Sequence, residues 1–485
     1  MQIILQGTGL ETAVHETLVC LLPEERHGLS EDCAQGGSVT VSLIREAGGF
    51  LCRAKAVRDG EARKGECRLP LEGESPLEQK RVETRTVKTA VYQAVVGFLP
   101  EPPVWGAMSG VKPAKPLRQA FPQEIQEEEA DAFLKERFFI APSRRKLAIR
   151  CAQKAQQLEH SLPGKTGALY IGIPFCPSKC VYCSFVSGST AQWGHLIPPY
   201  LDALCREVEA AGEGFRQNGW KLDSIYMGGG TPTTLTAQQL DRLLTAVKRH
   251  LPPPREFTVE AGRPETITKE KLEVLHRHGV GRISINPQSM HDAVLQNVGR
   301  LHTVQQIGEC YRMARQAGDF EINMDLIAGL PGDDEQGLLE SVRQLIQLDP
   351  ENITIHCLAR KKGSPLRFGP QGQLPAETLD AAYAMLEQAG YAPYYLYRQK
   401  YIAGNLENVG FAKGDTICRY NILMMEELCP VVALGAGGVT KICADGGRNI
   451  TRLTNPKYPK EYIEHSDAIC EGKQKLELEF GRLPD

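Results

Sequence analysis

"ALYIGIPFCPSKCVYC", residues 168–183, joins a short apolar run to three cysteines within eight positions. The run ALYIGI has the length and apolar content of a strand buried on both faces. Cys176, Cys180 and Cys183 follow it directly, so they occupy the loop leaving its C-terminal end, where parallel α/β sheets hold ligands. Three is an odd set: structural zinc and ordinary iron–sulfur clusters usually take four protein ligands, and a disulfide takes two. This spacing lets one loop wrap a compact inorganic core. Three thiolates on a [4Fe–4S] cube leave one iron open to a small molecule. A zinc ion completed by a distant Cys or His is the other reading the spacing allows.

Outward from that stretch, strand and helix alternate. The strand candidates ALYIGI, LDSIYMG, EFTVEAG, RISINPQ, EINMDLIAG and NITIHCLA are separated by helical stretches such as PYLDALCREVEAAGEGF, TAQQLDRLLTAVKRHL and EQGLLESVRQLIQL. Such βα units predict an α/β region, either a barrel or a doubly wound sheet. It spans residues 166–375. Upstream, residues 1–115 read as a small α+β domain: QIILQG and SVTVSLIR are strand-like, LETAVHETLVCLL and RVETRTVKTAVYQAVVGFL helical. A Pro-rich stretch ends that domain. Residues 116–165 form a helical connector. Residues 376–485 mix helix, turn and strand and form a closing subdomain.

The 485 residues support two to four domains, and a net charge of −3 gives no reason to expect nucleic acid as the main partner. The 15 cysteines are scattered and odd in number, which fits buried thiols in a reducing compartment better than a disulfide framework. The N-terminal apolar stretch carries Glu11, His15 and Glu16 and does not read as a secretory signal. No apolar run of about 18 residues predicts a spanning helix. The expectation is a cytoplasmic protein without an integral membrane segment.

A second motif, MGGGTPT, residues 227–233, follows the second strand candidate. Consecutive glycines admit a ligand's polar head to the backbone; a plain strand-to-helix turn is the alternative. Together the cysteine and glycine motifs resemble the radical S-adenosylmethionine (SAM) superfamily. They are most similar to its oxygen-independent coproporphyrinogen III oxidase family, on the coproporphyrinogen dehydrogenase side, with the related heme chaperones. The resemblance covers roughly residues 165–460.

What the resemblance implies is a partial (β/α)6 TIM-like barrel and two cofactors, a [4Fe–4S] cluster and SAM. Cys176, Cys180 and Cys183 would hold the cluster. Gly228, Gly229, Gly230 and Thr231 would contact the methionine amino group of SAM, and Glu260 would bind SAM as well. Gln288 and Asp325 would meet the ribose hydroxyls. Arg300, in the helical region after the fourth strand, would pair with the methionine carboxylate. Tyr170, Tyr182, Ile327 and Ala359 would line the cofactor, the last three near adenine. No further catalytic residue is implied. The implied activity is that of an oxidoreductase of porphyrin and heme biosynthesis, converting coproporphyrinogen III to protoporphyrinogen IX by oxidative decarboxylation. Its partners would be the tetrapyrrole and a low-potential electron donor, flavodoxin- or ferredoxin-like.

Two positions depart from the decarboxylase pattern. Phe185 stands where a fourth cysteine is expected, and Gly172 where a histidine is expected. A heme chaperone, or another radical SAM enzyme acting on a tetrapyrrole, is therefore the alternative. The chaperones' His-Asn pair is Tyr420-Asn421 here, which weighs against a carrier. Propionates need cations, and Arg360, Lys361, Lys362, Arg398 and Lys400 are the candidates, with a solvated basic loop as the alternative.

Overall fold

The computed structural model describes every residue except 72, 74, 360, 362, 369–373, 400–401, 445–448 and 481–485, with only the main chain at 35, 403, 444, 449 and 475–480. Its chain divides into two compact units, residues 1–149 with 398–406, and residues 150–397 with 407–485.

The first unit begins with β1 (Gln2–Gln6), α1 (Glu11–Leu21), β2 (Ser38–Glu46), β3 (Gly49–Arg58), β4 (Glu61–Pro70) and α2 (Pro76–Val95). The strands form one sheet in chain order, with β1 parallel to β2 and the rest antiparallel. Val39 and Val41 of β2 meet Val14 and Leu18 of α1 and Val87 and Val91 of α2 in one core. Ser75 caps α2 by accepting from the Glu78 amide at 3.2 Å, with Pro76 in the first turn. Two further helices, α3 (Lys115–Ala120) and α4 (Glu127–Phe138), follow in this unit. The periodicity reading did not mark β3 and β4. In β4, EARKGECRLP, the inward positions 63, 65, 67 and 69 hold Arg, Gly, Cys and Leu, so its alternation carries little apolar signal to read.

The division falls inside α5 (Pro142–Ser161). The second unit then runs β5 (Thr166–Ile173), β6 (Phe175–Cys176), β7 (Gly188–Ser189), α6 (Thr190–Trp193), α7 (Ile197–Gln217), β8 (Lys221–Gly229), α8 (Ala237–His250), β9 (Glu256–Glu260) and α9 (Lys269–Arg277). It continues through β10 (Arg282–Ser284), α10 (Asp292–Asn297), α11 (Val304–Ala317), β11 (Glu321–Ala328), α12 (Glu335–Leu348) and β12 (Asn352–Cys357). Strands β5, β8, β9, β10, β11 and β12 are parallel neighbours in chain order. A doubly wound sheet would reverse its order partway; this one does not, and has the strand order of a barrel. The run is left open. After α13 (Ala376–Gln388), β13 (Tyr391–Tyr397) and β14 (Asn408–Lys413) cover one edge, with β14 antiparallel to β12. After α14 (Arg419–Glu426), β15 (Val431–Leu434) joins β5 in parallel at the other edge, followed by β16 (Val439–Ala444) and β17 (Asn449–Thr454). Helices α15 (Pro459–Glu464) and α16 (Ser466–Phe480) are the last elements described. This is the expected partial (β/α)6 arrangement.

The covering helices are specified locally. Helix α8 starts with a capping box between Thr236 and Gln239 and buries Leu240, Leu243, Leu244 and Val247, one helical face. No helix among the described residues is long and apolar enough to cross a membrane.

Candidate functional site

The cysteine loop is closed at its base. Cys176 ends β6, which pairs with β7 at Phe175–Gly188 and Cys176–Ser189. The glycine turn after β8 is stitched alongside: Gly230 N donates to Ile173 O at 2.7 Å and Thr231 N to Phe175 O at 2.8 Å. Two of the three sulfurs face donors. Thr231 Oγ1 donates to Cys176 Sγ at 3.6 Å, and Arg263 Nη2 donates to Cys180 Sγ at 3.1 Å. Arg263 is buried and also grips the loop through Ser178 O at 2.8 Å. Burial pushes the Cys183 thiol up, and neighbouring Cys180 and Cys176 push it further. Thiols pressed together in this way ionise readily only around a cationic core.

The glycine turn leaves no room for side chains. A Cβ on Gly230 would stand 2.6 Å from Phe175 O, and Gly229 has a φ of +109°. Gly228 faces the Glu260 carboxyl at the end of β9. Tyr226 OH donates to Glu260 Oε1 at 2.6 Å. Burial pushes the Glu260 carboxyl up to about 7, with Asp325 adding to the rise and the Tyr226 and Gly229 hydrogen bonds opposing it. Tyr226 lies near-parallel to Tyr420 at 4.7 Å and to Tyr170 at 6.4 Å. The Tyr170 hydroxyl borders Gly229.

On the other side, Tyr182 ties the cysteine loop to the later strands. Its hydroxyl donates to Gln288 Oε1 at 3.2 Å and accepts from Arg300 Nε at 3.1 Å and Nη2 at 3.0 Å. Arg300 Nη1 donates to Gly262 O at 3.0 Å. Arg300 lies in the loop between α10 and α11 rather than within a helix, which lets a buried guanidinium reach back to the sheet. Gln288 has a φ of +71°, a conformation that costs a non-glycine residue and is held by main-chain bonds to Asp325 and Ile327 at 2.9 Å each. Asp325 accepts from Asn323 Nδ2 at 2.8 Å and lies 3.8 Å from His356 Nε2. Burial alone would raise the Asp325 carboxyl, but His356, Asn323 and Thr354 outweigh it and hold it below the usual range. Ile327 belongs to an apolar cluster with Val294, Leu330 and Leu358, against which Val181 and Tyr182 pack. Ala359 follows, half-buried, just beyond β12.

The residues singled out in the sequence thus gather at one end of the parallel sheet. Their environment fits a thiolate-held cluster with a zwitterionic ligand. Donors point at sulfur, the glycine turn excludes any Cβ, and among the described residues Asn286 Oδ1, beside Gly262, is buried without a partner. Among the described residues no group of three or more His, Cys, Asp or Glu side chains converges as the ligands of one ion do. Thiolates on a cube bind separate irons and need no such convergence.

Four neighbours of the site went unmarked in the sequence: Arg263, Tyr226, Asn286 and His356. All four lie on or just past strands that were recognised, but their roles depend on which strand lies beside which. Of the proposed propionate partners, Arg360, Lys362 and Lys400 lie outside the described residues. Lys361 is described; burial lowers its pKa and nearby Cys183 opposes the fall. Arg398 belongs to the first unit, where it is buried, donates to Asn405 Oδ1 at 2.6 Å and to Met108 O, and lies over the Trp105 ring at 5.4 Å. That role is structural, so the expectation of a propionate contact there is corrected. Phe185 is 64 % exposed, and a Cβ on Gly172 would meet Leu434 O at 3.3 Å and Ala436 O at 3.4 Å.

Comparison with known proteins yields consistent likenesses. Residues 170–345 match the model of the Radical SAM superfamily. The chain is 37% identical over 382 residues to the "Oxygen-independent coproporphyrinogen-III oxidase-like protein HemZ" of Bacillus subtilis, covering 76% of each. It is 35% identical over 308 residues to the heme chaperone HemW of the same organism, covering 61% of this chain and 74% of that protein. Among solved structures, coproporphyrinogen III oxidase (HemN) from Escherichia coli aligns with a TM-score of 0.51 at 23% identity, over 64% of this chain and 71% of that one. This last likeness is one of fold.

Proposed function

Because the chain belongs to the radical SAM superfamily, in the group that holds the HemZ-like proteins and the heme chaperones, we propose that it catalyses the oxygen-independent oxidative decarboxylation of coproporphyrinogen III to protoporphyrinogen IX. A [4Fe–4S] cluster and SAM are the cofactors of this superfamily, and together they supply reductive cleavage of the sulfonium and abstraction of a hydrogen atom from an unactivated carbon.

The rest is the work of this chain's residues. Cys176, Cys180 and Cys183 anchor the cluster, while Arg263 and Thr231 donate to two of the anchoring sulfurs. Gly228, Gly229, Gly230 and Thr231 let the amino acid end of SAM approach the backbone, and Glu260 accepts from it. Arg300 binds the carboxylate, exchanging its present partner Tyr182; a guanidinium can do this bidentately. Gln288 and Asp325 hold the ribose. Tyr182, Ile327 and Ala359 line the adenine, and Tyr170 borders the glycine turn. The site's closed base and apolar wall exclude water, which protects a reactive carbon centre from side reactions. The setting we propose is the cytoplasm, with a flavodoxin- or ferredoxin-like donor supplying low-potential electrons.

The observation that carries this reading is the 37% identity to a coproporphyrinogen-III oxidase-like protein across 76% of both chains. Tyr420 supports it: the position where chaperones have histidine is a buried tyrosine against Tyr226, with no imidazole to offer a heme iron. A second reading, a heme carrier, is favoured by Phe185 and Gly172. A histidine at 172 would require the 434–436 backbone to give way. The test is an anaerobic incubation with reductant, SAM and coproporphyrinogen III deuterated at the propionate β-carbons. Deuterium in 5′-deoxyadenosine together with released carbon dioxide is the expected result. No transfer, alongside stoichiometric heme binding, overturns it in favour of the carrier.

A further inference from the structure

A phenol fixes the Glu260 carboxyl in place. Tyr226 OH donates to Glu260 Oε1 at 2.6 Å, the length of a hydrogen bond to an ionised acceptor. The Tyr226 ring is itself fixed by two others. It lies near-parallel to Tyr420, from the first turn of α14, at 4.7 Å, and to Tyr170, from β5, at 6.4 Å. Tyr170 and Tyr420 are also stacked on each other at 6.4 Å, so no ring can swing without breaking two contacts. The second carboxyl oxygen, Glu260 Oε2, stands 2.9 Å from where a Cβ on Gly228 would lie. With one oxygen tied to Tyr226, the other is turned to the glycine turn.

The same bond bears on charge. Burial raises the Glu260 carboxyl to about 7, and the Tyr226 hydrogen bond is the foremost influence drawing it back. The other titratable side chains facing it, among the described residues, are Tyr170, Tyr420, Asp325 from β11 and His356 from β12. Asp325 disfavours ionisation of Glu260 and His356 favours it. Burial, and Glu260 itself, push the Tyr226 phenol well above its usual range, so it stays protonated and able to donate.

We propose that Tyr226 is a positioning residue for SAM: its hydroxyl holds Glu260, as the carboxylate, toward the ligand's amino group. The proposal rests on the role given to Glu260 above and adds the group that sets that role. Tyr226 acts through Glu260 rather than on the cofactor.

Equilibrium binding of SAM to the cluster-loaded, full-length protein, with no tetrapyrrole present, tests this across pH. Tyr226→Phe keeps the ring and its stacking and removes only the hydroxyl. SAM titrates identically with both proteins, so the ratio of wild-type to variant affinity isolates Glu260. That ratio is expected to be about tenfold near pH 6, about fivefold near pH 7 and close to one near pH 9, the pattern of a carboxyl whose midpoint has moved up by about one pH unit. Iron content is expected to be unchanged. In the Glu260→Gln background the same substitution is expected to have no effect, because the group it acts on no longer ionises. A ratio of one at every pH overturns the proposal. So does a loss independent of pH, or one that persists in the Glu260→Gln background, since either marks a merely structural role. The two readings fail separately. If Glu260→Gln leaves SAM affinity unchanged, the role of Glu260 falls and this proposal with it; if Glu260→Gln weakens SAM binding and Tyr226→Phe does not, this proposal falls alone.

Discussion

At the N-terminal end of the parallel sheet, Arg282 donates to Ile417 O at 3.0 Å and Thr416 O at 3.1 Å, and pairs with Glu256 at 3.4 Å and with Glu321. Beside it Arg419 grips Asp223 in a fork, at 2.9 and 2.6 Å, and Glu256 accepts from the first amides of α14. A cavity of about 1020 Å³ opens there; Arg277, Arg282 and Arg419 in its lining each pair with a carboxylate, while Arg282 Nε and His278 Nδ1 are buried without a hydrogen-bond partner. At the C-terminal end the pattern differs. Glu260 is held near neutral pH, Gln288 in a left-handed conformation, and Asn286 Oδ1 without a partner. Both ends belong to the same strands, so the contrast is not one of fold. Arginine–carboxylate pairs stabilise one end; the other keeps a perturbed carboxyl and a left-handed glutamine that a ligand can exploit.

The sharpest way to break this contrast is at the cysteines. Cys176, Cys180 or Cys183 replaced by Ala should abolish the cluster, measured as iron and sulfide from about four per chain to near zero. Cys205→Ala and Cys310→Ala should retain it. Next, Arg282→Met should lower unfolding free energy by about 3 kcal/mol, because it leaves Glu256 and Glu321 unpaired, while leaving SAM affinity intact. Denaturant melts and SAM titration together check that separation. In the opposite sense, Asp325→Ala should cost SAM binding roughly 1.5–3 kcal/mol, about 10- to 150-fold, with iron content retained. A destabilised apoprotein with normal SAM affinity would blur the two ends into one.

Glu260 gives the pH test. Its pKa is raised to about 7, so folding favours the protonated carboxyl. Its contribution to stability is present at acid pH and is lost as pH rises through about 7. In the proposed role Glu260 meets SAM's ammonium in the ionised form, so affinity should rise over the same interval while apoprotein stability falls. Glu260→Gln should flatten both profiles. The smallest effect is at Arg263. Arg263→Gln removes a guanidinium from the Cys180 sulfur and should lower the cluster's midpoint potential, on the order of 50 mV for about 1 kcal/mol. An unchanged potential in a redox titration followed by EPR would reduce Arg263 to a brace for the loop.

What the sequence disclosed follows from how local each signal is. The cysteine loop and the glycine turn are contiguous, and their spacing carries the chemistry. The six parallel strands are apolar runs between amphipathic helices and were legible for that reason. RISINPQ was expected to be a strand throughout, but the strand stops at Ser284. Pro287 has no amide to donate, and Gln288 turns left-handed. Arg263 and Tyr226 were not legible, because an arginine past one strand and a tyrosine on another become partners of Cys180 and Glu260 only once the sheet sets them side by side. Arg398 looked available in sequence, but in the structure its two terminal nitrogens are held by Met108 O and by Asn405.

The open sheet has a consequence for the chain's synthesis. One side of β12 is covered by β14, which follows within about 50 residues. The free side of β5 waits for β15, roughly 260 residues later. As the polypeptide leaves the ribosome, β5 is among the first strands of its sheet to appear and among the last to gain its outer neighbour. Until then it presents unpaired amides and carbonyls along an apolar edge, the kind of template on which nascent chains associate. A chain that ended before residue 431 would carry the cysteine loop and the glycine turn and an unguarded border. The burden on chaperones during translation therefore falls on the strand that leads into the cysteine loop.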